Sequence, residues 1–70
     1  MGDLPNAVIK RLINKHSEGL RISGSALERA VTAAEEYIAR LSREAQSAAQ
    51  SERRKTIMDS DIDQARAKIG

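Results

Sequence analysis

Seventy residues with a net charge of +2 make one small domain at most, and a lone chain of this size buries little apolar surface. With no cysteine and a single histidine, His16, the chain excludes disulfides, thiolate metal sites and histidine clusters. Tyr37 is the only aromatic residue, so any core is built from Ala, Leu, Ile and Val, and oligomerisation is the remaining way to stabilise it.

Asp3 ahead of Pro5 reads as a helix start, a capping carboxylate followed by a proline in the first turn. Val8, Ile9, Leu12 and Ile13 then form one apolar stripe, with Lys10, Arg11, Asn14 and Lys15 off it. This helix should end near His16–Ser17, where the histidine complements the helix dipole and Gly19 breaks the pattern. Residues 18–23, "EGLRIS", read as a short connection with a β-like Leu-Arg-Ile centre. Ser23 and Ser25 both suit an N-cap, and Ser25 with Glu28 has capping-box spacing.

From Ser25 to about Gln50 there is neither Gly nor Pro. Leu27, Val31, Ala34, Ile38, Leu41, Ala45 and Ala48 alternate spacings of four and three, the seam of a helix that packs along another long helix. Such a helix spans roughly 40 Å, too long for short flanking helices to cover, so a second copy is expected along the seam. Tyr37 lies on or beside it as a packing residue. "SERRKTI", residues 51–57, interrupts the helix with a polar connection. Asp59 reads as the next N-cap, with Asp61 and Asp63 in a first turn where the dipole favours anions. Ile62, Ala65 and Ile69 give the last short helix its stripe, and Met58 fills a surface or dimer edge.

Cations gather towards the ends of the chain: four against two acids in residues 1–23, five against four in 51–70. No apolar run approaches the roughly 20 residues of a membrane span, and there is no signal-peptide core, so the reading is a soluble cytoplasmic protein. No nucleophile–base pair, carboxylate dyad or glycine-rich phosphate loop stands out, which argues against an enzyme, and no metal or cofactor is implied.

The order short helix, loop, long helix, loop, short helix, with "LP-A-I-RLI" at 4–13, "R-S" at 21–23 and "RKTI-DI-A" at 54–65, resembles the archaeal histones. The resemblance implies an all-α histone fold over residues 1–70 and a handshake homodimer across the long helices. Leu27, Val31, Ala34, Ile38, Leu41 and Ala45 then form the dimer core, and each first loop lies beside the partner's second. It implies sequence-independent binding and compaction of double-stranded DNA, and a place on the chromosome, the nucleoid.

By the same resemblance, Arg21 enters the minor groove, Arg11 and Lys10 lie near DNA, Lys55 and Thr56 face phosphates, and Arg54 with Asp61 form an intrachain clamp. The chemistry fits: Lys and Arg release counterions from phosphate, and an inserted arginine senses groove shape without reading bases. The chain also departs from the family pattern. Its first loop is one residue longer, Asn14 stands for a common lysine, and Arg53 replaces a glycine and adds charge for DNA. Ala48, Ser51 and Gln64 stand where dimers usually meet through larger or apolar residues, so only weak dimer–dimer association is expected there. The alternatives are a histone-fold module that pairs with a different partner in a transcription or kinetochore-type assembly, and an unrelated helical dimer such as a coiled-coil adaptor.

Overall fold

A computed structural model describes residues 4–70, so the expected Asp3 cap lies outside the described residues. Three helices follow one another: α1 (Asn6–His16), α2 (Gly24–Ser51) and α3 (Asp59–Ile69). The Leu20-Arg21-Ile22 centre, expected to be β-like, forms no strand. No helix among the described residues is long and apolar enough to cross a membrane.

The starts of α1 and α3 differ from expectation by a residue or two, each for a local reason, whereas α2 is capped by one of the two serines expected there. Pro5 takes the N-cap position of α1, not its first turn, and its carbonyl accepts from the Ile9 N–H at 3.3 Å. Ser23 caps α2: its Oγ accepts from the Ala26 N–H at 3.1 Å, which puts Gly24 and Ser25 inside the helix. The Ser25–Glu28 box therefore does not open α2. Met58, not Asp59, is the N-cap of α3. Asp61 reaches back from the third helical position and accepts from the Met58 N–H at 2.8 Å, so the carboxylate acts from inside the first turn.

Both loops leave their helices through a residue in the left-handed region. At the end of α1, Glu18 has φ 60° and Gly19 φ 86°, and the Gly19 N–H donates to the Asn14 carbonyl at 2.8 Å. At the end of α2, Arg53 has φ 60°, its N–H donates to Gln50 at 2.9 Å, and the Arg54 N–H donates to Ala49 at 3.0 Å. These paired bonds are the Schellman closure, which usually places glycine at the left-handed position.

Two compact units divide within α2, one reaching Glu36 and the other running from Tyr37 to Gly70. In the first, the Leu4 N–H donates to Glu35 Oε2 at 3.2 Å, and Val31 is buried. In the second, Ala45, Ala49 and Ala65 are buried, small side chains that let α3 lie close to the last turns of α2. Lys68 meets Glu44 across those helices at 3.1 Å, an exposed pair worth little by itself. Among the described residues one valine and three alanines make up the fully buried apolar set, while Val8, Leu12, Leu20, Tyr37, Ile38, Ile57 and Met58 stay exposed. So small a buried set is typical of a chain that depends on a partner for its remaining apolar cover.

Candidate nucleic-acid interface

Three basic side chains of the first unit, Lys10, Arg11 and Arg21, line one groove. It has a volume of about 540 Å³ and is lined by Lys10 and Arg11 from α1, Asn14, and Leu20 and Arg21 from the following loop. Lys10 and Arg11 face it because they lie off the apolar stripe of α1. Arg21 reaches it because the chain reverses at Glu18 and Gly19. Asn14 fixes that reversal twice, accepting from the Gly19 N–H through its carbonyl and donating through Nδ2 to the Leu20 carbonyl at 3.3 Å. No carboxylate lines the groove, and none of its three cations is ion-paired among the described residues.

The second unit holds another basic recess, of about 410 Å³, lined by Arg53, Arg54, Lys55 and Ile57 with Gln46 and Gln50 of α2. Here the three adjacent cations of the sequence separate by role. Arg54 Nη1 and Nη2 donate to the two oxygens of Asp61 at 2.7 and 2.9 Å, a bidentate pair. Nε and Nη2 also donate to Glu52 Oε1 at 3.2 and 2.9 Å, and Nη1 to the Thr56 carbonyl at 3.0 Å. Asp61 is only 1% exposed and Arg54 28%, so the carboxylate is sealed under the guanidinium. Hydrogen bonds from Arg54, then from the Met58 N–H, hold the Asp61 carboxyl well below the usual range, at about 2. The same bonds to Asp61 and Glu52 push the Arg54 guanidinium further up.

Arg54 therefore braces the loop against α3 and has little left to offer a phosphate. Arg53 and Lys55 are exposed and form no ion pair among the described residues. Thr56 is exposed but does not line the recess. Glu52, the second carboxylate on Arg54, escaped sequence reasoning; its approach depends on the chain turning back at Arg53.

Of the residues expected at a dimer core, Ile38 is 47% exposed and Leu27, Ala34 and Leu41 are partly exposed, whereas Val31 and Ala45 are already buried within the single chain. The seam is thus split: part of it stabilises the chain's own units and part lies open.

The family described as histone-like transcription factor (CBF/NF-Y) and archaeal histone matches residues 3–65. The chain belongs to this family. Searches of curated proteins and of solved structures found no match. Histone-fold membership carries a histone-like, DNA-binding role.

Within the histone fold, Glu18 and Arg53 both hold a side chain in the left-handed region. A side chain in the left-handed region costs about 1–2 kcal/mol relative to glycine, partly offset by glycine's greater freedom in the unfolded chain. Arg53→Gly is expected to stabilise the protein by about 0.5–1 kcal/mol in denaturant melts. Loss of stability in this variant would contradict backbone strain at Arg53.

Proposed function

We propose that this histone-fold chain is a non-enzymatic DNA-compacting protein that acts as a homodimer, paired antiparallel through α2 as in the family's handshake. The observation that carries the reading is the pair of basic grooves. Lys10, Arg11 and Arg21 converge at the first loop, Arg53 and Lys55 at the second, and none of the five forms an ion pair among the described residues. In an antiparallel pair each first groove adjoins the partner's second, which doubles the cationic track along a duplex. Exposed Ile38 with partly exposed Leu27 and Leu41 supplies the apolar surface that pairing covers.

Binding is expected to be nearly independent of sequence and strongly weakened by salt, because phosphate neutralisation supplies the affinity. Lys55→Ala should flatten the log–log salt slope by about one unit for each copy touching DNA. Arg21→Ala should cost more, since it removes a groove anchor. Lys68→Ala, at a cation already paired with Glu44, serves as the control and should leave the slope unchanged. Fluorescence anisotropy on a short duplex across a salt series measures all three. Parent-like slopes in both loop variants would refute the assigned site.

Dimers should join one another only weakly. The shallow recess lined by Glu44, Ala48, Ser51, Gln64 and Lys68 is small, about 180 Å³, and polar. Ser51 Oγ already donates to the Ala48 carbonyl at 2.7 Å, which removes it as a donor to a neighbouring dimer. The second reading is pairing with a different histone-fold chain in a transcription-type assembly, as the CBF/NF-Y part of the family description suggests. Sedimentation of the purified chain separates the two: a homodimer supports compaction, and a monomer that folds only with another chain supports the assembly module.

A further inference from the structure

Leu20 is 69% exposed, the most exposed of the large apolar side chains among the described residues, and it sits beside Arg21 at the lip of the first basic groove. Single exposed leucines are common and need no explanation. This one differs in its setting. Every charged group lining the groove is a cation, and the loop that carries Leu20 is held by two hydrogen bonds to Asn14. An apolar side chain fixed among arginines and lysines is the arrangement with which proteins enter the minor groove: cations bind the walls while the wedge unstacks a base step.

We propose that Leu20 is a minor-groove wedge that kinks the duplex at the first loop and makes the protein favour deformable steps. The proposal rests on the DNA-binding reading above and adds to it a specificity-determining residue. Asn14 is the positioning residue, since its side-chain amide donates to the Leu20 carbonyl and its own carbonyl accepts from the Gly19 N–H. Two readouts then compete within one loop. Arg21 alone favours narrow, stiff A-tracts, whereas a wedge favours pyrimidine–purine steps such as TA, which unstack easily.

The test compares two short duplexes of equal length and charge, one with central TA steps and one with an A-tract, by anisotropy, with bending read by end-to-end energy transfer. The parent should bend the TA duplex and bind it about fivefold more tightly than the A-tract. Leu20→Ala should lose the bend and level or reverse the preference. Leu20→Met should restore both properties, because a flexible thioether also wedges. Asn14→Ala should lower the bend with less effect on overall affinity.

An unchanged bend and preference in Leu20→Ala, with binding intact, would overturn the wedge and leave the DNA reading standing. No binding by the parent to either duplex at low salt would overturn both. A fall in the unfolding midpoint of Leu20→Ala at fixed protein concentration, with DNA bending unaltered, would assign Leu20 to the protein's own packing and likewise overturn the wedge.

Discussion

Ile38→Asp should abolish folding. In the single chain Ile38 is 47% exposed, so a monomeric protein would accept a carboxylate there with little loss. In the proposed handshake both copies of Ile38 lie between the long helices, where an unpaired carboxylate costs about 3–5 kcal/mol. Two copies per dimer double that cost, which approaches or exceeds the roughly 5–15 kcal/mol stability of a typical domain. Leu41→Asp should behave alike. Circular dichroism should lose its helical signal at micromolar concentration, and the parent's thermal midpoint should rise with protein concentration. A well-folded Ile38→Asp monomer, seen by dichroism and light scattering, would refute pairing through α2.

The second large effect is expected at the Arg54–Asp61 pair. Arg54→Ala leaves a carboxylate that is 1% exposed without its bidentate partner, and Asp61→Ala also frees the Met58 N–H that starts α3. Each should lower the thermal midpoint by about 10–20 °C at fixed protein concentration, against about 3 °C or less for Lys55→Ala. The pH dependence carries the same signature. Asp61 titrates at about 2 in the folded chain and near 4 unfolded, so its contribution is complete above about pH 4 and is lost as pH falls through about 2. Asp61→Asn should therefore flatten the stability profile between about pH 4 and pH 2. Equal midpoints for Arg54→Ala and Lys55→Ala, or an Asp61→Asn profile as steep as the parent's, would mean the pair does not brace the fold.

Helix periodicity made the three elements legible: spacings of three and four along 27–48 follow from the helical repeat alone, and α2 runs through all of them. The caps were less legible because their alternatives differ by little energy. Ser23 and Ser25 offer the same hydroxyl two residues apart, and only the path of the preceding loop selects Ser23. Asp59 is a good capping residue by type, yet Asp61 takes the N-cap amide because its carboxylate is also anchored by Arg54. That pair, seven residues apart across a loop, came from the resemblance and not from spacing. Glu52 was legible from neither, since its contact exists only after Arg53 turns left-handed. The split of the seam, with Val31 and Ala45 buried in the chain itself, was equally hidden, because periodicity marks which residues share a face but not what covers it.

An interior made of a valine and three alanines also has a meaning in time. A chain that reaches its folded state only on meeting another does so in a second-order step, and the half-time of that step shortens in proportion as protein accumulates. At low copy number each newly made polypeptide waits as an orphan, with its apolar seam and open backbone exposed to proteases. At high copy number the wait disappears. In the proposed homodimer the sparse core would thus couple the protein's lifetime to its own abundance, so a population would accumulate steeply above a threshold of synthesis and be cleared below it.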